Sequence, residues 1–236
     1  MKTQIHEEPR IVAAAERKMQ AWVHAQETAD RAVQGPHRQR LAASGRTYVA
    51  ISREAGIDAA EIARPLGRQL GWEVLDRTLL DRVAERLHGS RTMLDVVDET
   101  QGNWVYDVLG AWIDGQIVTH EKYVACLTRV VRAAGRRGKA VFVGRGAQFL
   151  LPRDRGLAVR LVASERFRIE RIMKSCALNE AQARRWMLKT DRDRHEFVSR
   201  YFHHDTTDPH LYDLVLNVES LGPVASIEQI VTALCR

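Results

Sequence analysis

Four short stretches carry the residues able to do chemistry. ISREAGIDAAEIARPLGRQLGW, from Ile51, reads as a strand end, a turn holding Gly56 and then a helix, which is where phosphate-binding folds place their anion. LDR, ending in Asp76 and Arg77, and VGRG, spanning Val143 to Gly146, each follow a β-rich run. Arg77 and Arg145 thus sit just past C-terminal strand ends, where open parallel sheets bind ligands, and can face one crevice. The fourth stretch, KTDRDR from Lys189 to Arg194, lies in a long charged helical segment.

The elements expected to position these residues alternate between short strands and helices, the texture of a parallel sheet with crossover helices. The β-rich runs are Thr47 to Ser52, Glu73 to Leu75, Ala140 to Val143, Ala158 to Val162 and Leu214 to Asn217. Helices are expected at about 78 to 88, 91 to 114 and 117 to 136, and residues 91 to 136 are assigned as a substrate-side insertion. The segment 179 to 203 has few apolar positions in its middle, so it is either a solvated face or a mobile element over a site. Ile227 to Leu234 reads as a closing amphipathic helix. Before the sheet, Ile11, Ala15, Met19, Trp22, Ala25, Ala29 and Val33 recur at helical spacing, and Gly35-Pro36 ends that pattern. That helix either packs on the main domain or makes a dimer contact. The domain reading is a helical extension and linker over 1–45 and one α/β domain over 46–236.

Composition narrows the partners. Of 236 residues, 45% are hydrophobic and 28% charged, an ordinary globular balance, and no apolar run approaches the roughly 18 residues that span a bilayer. The polar start MKTQIHEEPR lacks the apolar core of a signal peptide, so a cytoplasmic location without membrane association is expected. A net charge of +6 suits an anionic partner, but the arginines are spread along the chain without a basic stripe interleaved with aromatics. A phosphorylated small molecule is therefore favoured over nucleic acid. Cys126, Cys176 and Cys235 are too widely spaced for a disulfide framework or metal cluster. His203-His204 beside Asp205 and Asp208 reads as a surface loop rather than a metal site.

In order and spacing, SREAGIDAAEIA (52–63), LDRTLL (75–80), VGRGAQFLL (143–151), KTDRDRHEFVSRYF (189–202) and DPHLYDLVLN (208–217) resemble the cytidylate-kinase-like family of P-loop nucleoside-monophosphate kinases. Its members carry REYGSGGREIA, YDRE, VGR, KTDxxR and DPxxYDLxLN on successive elements. The resemblance covers about 47 to 234 and implies a three-layer P-loop kinase-like fold with a five-stranded parallel sheet. It also implies phosphoryl transfer from ATP, with Mg2+, to CMP or a similar acceptor. Guanidinium forks suit that chemistry, which asks mainly for two anions to be positioned and charge to be stabilised. On this footing Asp76, Arg77, Gly144 and Arg145 are expected at the acceptor phosphate, with Asp76 also able to orient Arg77 or help hold magnesium. Arg145, Arg192, Arg194 and Asp76 are the catalytic candidates. Arg53, Gly56, Ile57, Asp58, Ala59, Ala60 and Lys189 are the ATP-side candidates, with a lid over about 178 to 205. Lys189 and Arg192 share a helix face, and Arg194 points elsewhere.

The phosphate loop departs from the family. Where members resemble GSGGR, this chain has Gly56-Ile57-Asp58-Ala59-Ala60, which keeps one glycine and no basic residue. Asp58 and Glu61 resemble a capping box that satisfies the helix without a ligand, and Pro65 is expected to kink that helix. Two functions follow: a kinase that holds ATP through Arg53, lid arginines and magnesium despite the loop, or a catalytically inactive relative that senses a nucleotide or phosphate metabolite.

Overall fold

The computed structural model describes residues 41, 43–76 and 120–236. Helices expected at 9–34, 78–88 and 91–114 lie outside the described residues, as does Arg77. Five strands form one parallel sheet in the order β2-β3-β1-β4-β5: β1 Tyr48–Arg53, β2 Glu73–Leu75, β3 Ala140–Val143, β4 Gly156–Val162 and β5 Leu214–Asn217. Their apolar, β-branched runs suit strands covered on both faces. The register pairs Ile51 with Val143 on one side of β1 and Ser52 with Arg160 on the other. Because every pairing is parallel, Arg53, Asp76, Gly144 and the end of β4 emerge at one edge.

Side-chain alternation sorts the two faces. Val49, Ile51, Val141, Val159 and Leu161 point toward α1 (Ala60–Leu70) and α6 (Val218–Leu234), which contribute Ile62, Leu66, Ile230 and Leu234. Tyr48, Ala50, Ala140 and Phe142 point the other way, toward Leu127 and Val131 of α2 (His120–Arg137) and Ala147 of the short α3 (Ala147–Leu150). A third cluster joins Ala55, in the turn after β1, to Ile169 and Ile172 of α4 (Glu165–Cys176) and to Ala183 and Met187 of α5 (Glu180–Phe202).

Several expectations change in detail. α1 runs from Ala60 to Leu70 as one helix with Pro65, the residue expected to kink it, inside. Apolar contacts by Ile62, Ala63 and Leu66 hold its inner face against the sheet. α6 begins at Val218, and Gly222-Pro223 kinks it with Gly222 at φ 69°, ψ 171°. The segment expected at 179–203 is one helix whose N-terminus carries a reciprocal capping box between Asn179 and Gln182. No described helix is long and apolar enough to cross a membrane.

Candidate functional site

The turn between β1 and α1 is filled by protein. Ala55 is fully buried, and Gly56 takes φ 85° against α4, where an added Cβ would lie 2.7 Å from the Arg168 carbonyl oxygen. Glycine is required at that position on both counts. Ile57 and Ala59 are buried with it. At the start of α1, Asp58 Oδ1 accepts the Ala60 backbone N–H at 2.9 Å, and the Asp58 carbonyl accepts that of Glu61 at 3.2 Å. The expected capping box is not formed: the N-cap position is Ala59, which carries no side-chain cap, and the Asp58 carboxylate holds only the Ala60 amide. Glu61 turns away from the loop to pair with Arg171 of α4, an opposite charge within its reach.

Further carboxylates tie the turn to the two following helices. Asp191 of α5 accepts the Ala55 N–H at 2.7 Å and holds Arg168 Nη1 at 2.6 Å. Glu54 lies 3.5 Å from Arg168 Nε and accepts the Ala163 N–H at 3.1 Å. The turn itself thus carries carboxylates and apolar side chains, with one glycine and no basic residue between Gly56 and Ala60. Among the described residues no cluster of three or more His, Cys, Asp or Glu side chains is arranged to hold a metal ion.

α5 crosses the C-terminal edge of the sheet. After Asp191 at the β1 turn, Arg194 reaches in and donates from Nη1 to the Arg53 carbonyl oxygen at 3.0 Å. Phe197 then packs on Arg145, whose guanidinium lies 5.6 Å from that ring centroid and 5.4 Å from the Tyr123 ring. Arg145 is held there by an unusual turn, with Gly144, Arg145 and Gly146 at φ 79°, 56° and 65°. Two of the three positions suit glycine. The third carries an arginine in a conformation that costs about 1–2 kcal/mol, and strain of that kind gathers at functional sites. The Gly144 N–H is fixed by the Ile51 carbonyl at 2.9 Å, and an added Cβ there would lie 2.8 Å from Arg53 Nη1. Arg53 therefore passes over the same turn.

Of the residues expected to converge, Arg53, Gly144, Arg145 and Arg194 meet at this edge, and Asp76 follows β2 on it. Lys189 and Arg192 stand on the exposed outer face of α5. Gly56, Ile57, Asp58, Ala59 and Ala60 form the filled turn. Sequence reasoning missed Asp191, Arg168 and Arg160. Arg160 had left a signal, being a charged residue within the apolar strand AVRLV. Its Nη1 donates to Ser52 Oγ at 2.8 Å, and its guanidinium lies 5.8 Å from the Tyr212 ring centroid.

The loop after α5 is tied down beside Arg160. Tyr212 is buried, and its hydroxyl donates to the Thr206 carbonyl at 3.0 Å. Asp205 accepts both the Thr207 hydroxyl and the Thr207 amide, which hold its carboxyl below the ordinary carboxylate range. His203 ends α5 in the left-handed conformation, and His204 stacks on Phe149 with ring centroids 4.7 Å apart. The two adjacent histidines thus do separate structural tasks.

With this geometry in place, comparison with known proteins adds three findings. The sequence model of the cytidylate kinase-like family matches residues 48–220. No curated protein matches the chain. Among solved structures, an uncharacterized protein from Eubacterium ventriosum is similar at TM-score 0.58 and 17% identity, over 80% of this chain and 98% of that one. Shikimate kinases from Bacteroides thetaiotaomicron and Acinetobacter baumannii are more distant, at TM-scores 0.45 and 0.44 and identities of 14% and 15%. They cover 80% and 82% of this chain and 95% and 96% of their own.

Proposed function

The chain belongs to the cytidylate kinase-like family, and from that membership we propose that it binds a nucleoside monophosphate such as CMP, or a similar phosphorylated metabolite, as a sensor or regulator without phosphoryl transfer. The ligand phosphate sits at the C-terminal edge, where Arg53, Arg145 and Arg194 gather. One observation supports the loss of transfer: the Asp58 carboxylate accepts the Ala60 amide at the start of α1, so an anion of the protein's own already stands at the helix end that attracts anions in this fold. A carboxylate about 4 Å from a phosphate costs about 1 kcal/mol at the dielectric of water and about 4 kcal/mol at an effective dielectric near 20. The larger figure removes close to a thousandfold of affinity.

The contrary reading, a working kinase, is favoured by the Arg194 contact to the Arg53 carbonyl. That contact brings a lid arginine to the mouth of the turn, where a transferring phosphoryl group needs charge stabilisation.

Calorimetric titration with CMP tests ligand binding, and Arg145→Gly is the informative variant. Glycine relieves the left-handed strain while the stacking on Tyr123 and Phe197 is lost, and thermal unfolding of the variant reports the net effect on the fold. CMP affinity should fall at least about tenfold, the scale of one charge-assisted hydrogen bond. Equal affinity in the two proteins places the ligand elsewhere and sinks the proposal.

A further inference from the structure

Several arginines of the described fold are paired with carboxylates. Arg153 pairs with Asp213, Arg171 with Glu61, and Arg168 with both Glu54 and Asp191. Arg160 is held differently. Its partners are neutral, the Ser52 hydroxyl and the face of Tyr212, and among the described residues no carboxylate stands at ion-pair distance from it. Asp205 is near enough to feel its field, yet that carboxyl is engaged by Thr207.

A half-buried guanidinium has five N–H donors, and one hydroxyl and one ring do not exhaust them. None of the Arg160 nitrogens is both buried and without a partner, so the donors that Ser52 leaves unused open to solvent. Position adds to this. Arg160 pairs in register with Ser52, the residue before Arg53, on the opposite side of β1 from the Gly144–Gly146 turn. The end of β1 is thus flanked by Arg160 on β4 and by Arg145 after β3. Tyr212 and Ser52 fix the plane of the guanidinium without cancelling its charge, the arrangement suited to a forked contact with a phosphate.

We infer that Arg160 is an anion-binding residue, donating its unused N–H groups to a phosphate oxygen of the ligand on the β4 side of β1, while Ser52 and Tyr212 act as positioning residues. The inference rests on the proposed phosphate-ligand reading and adds a contact that the family resemblance does not contain.

The test titrates wild type, Arg160→Gln, Arg160→Lys and the control Arg153→Gln with CMP and with inorganic phosphate at fixed ionic strength. Arg160→Gln should weaken both at least about tenfold, the scale of a hydrogen bond to a charged group, and Arg160→Lys should fall between it and wild type. Arg153→Gln, which removes a cation already paired with Asp213, should leave both unchanged. CMP bound equally by wild type and Arg160→Gln overturns this inference and leaves the proposed function intact. A wild type that binds neither ligand overturns both. Should Arg160→Gln fail to fold, phenylglyoxal labelling of wild type read by peptide mass spectrometry decides the matter. Phosphate or CMP that slows labelling at Arg160 but not at Arg153 supports the contact, and equal labelling with and without ligand overturns it.

Discussion

Asp191 accepts the backbone N–H of Ala55 at 2.7 Å, and its second carboxylate oxygen holds Arg168 at 2.6 Å. One side chain of the crossing helix thus locks the β1 turn to α4. Removing it leaves the fully buried Ala55 amide without its acceptor and the Arg168 side chain, only 12% exposed, with Glu54 as its remaining carboxylate. Asp191→Ala should therefore destabilise the fold by about 2 kcal/mol, within the range for hydrogen bonds to charged groups. Urea unfolding followed by circular dichroism gives this directly, and amide exchange should rise at Ala55. A change below about 0.5 kcal/mol would show that the contact is not formed in solution.

The turn after β3 yields a paired prediction. Gly144→Ala and Gly146→Ala each place a side chain at positive φ, which costs about 1–2 kcal/mol. At Gly144 the neighbour is the flexible tip of Arg53, which can shift; at Gly146 it is the ring of Phe202. Gly146→Ala should thus be the more destabilising, while Gly144→Ala should chiefly weaken ligand binding by displacing Arg53. Thermal unfolding and CMP titration of both variants separate the two effects.

Tyr48 supplies a prediction in pH. Burial is the main cause that pushes its phenol up to about 12, with the charges of Asp213 and Asp154 adding to it. Its hydroxyl donates to the Pro152 carbonyl at 2.7 Å. Because the folded value lies above the ordinary 10, the neutral form is preferred in the fold. The associated stability is complete below pH 10 and is lost as pH rises from 10 toward 12. Ultraviolet titration of the phenolates should show a late component that disappears in Tyr48→Phe.

Repair of the phosphate turn tests its chemistry from the other direction. Replacing Asp58 and Ala59 by glycine and Ala60 by arginine removes the capping carboxylate and supplies the missing cation. ATP-Mg affinity should rise by at least about tenfold, corresponding to about 1.4 kcal/mol. The exchange gives up the Asp58 contact to the Ala60 amide and adds two flexible glycines, so the variant should also melt earlier. An unchanged ATP affinity would mean that the turn does not face the nucleotide.

The sheet could be read from the sequence because each strand is a short apolar run between breakers, as Ala140–Val143 is between Gly138 and Gly144. α6 was only half visible, since Gly222-Pro223 hides the turn that Asn217 caps through Glu219 and Ser220. Part of the phosphate turn was legible in Asp58, whose contact to the Ala60 amide is local. The partners of Glu61 and Asp191 were not, because Arg171 lies 110 residues from Glu61 and the Asp191 contacts join three elements. Local spacing reports caps and faces; it does not report which distant charge wins a carboxylate. Arg160 shows the remaining opening, in which a charge inside an apolar strand is itself the clue.

Titration of the unaltered protein with ATP-Mg, with ADP formation followed in the presence of CMP, separates a phosphate sensor from a working kinase. Protein that is saturated by CMP should show no ATP-Mg binding over the same concentration range and no ADP above background. Saturable ATP-Mg binding accompanied by CMP-dependent ADP would contradict the account, because a turn whose first amide is held by Asp58 would then be binding the triphosphate.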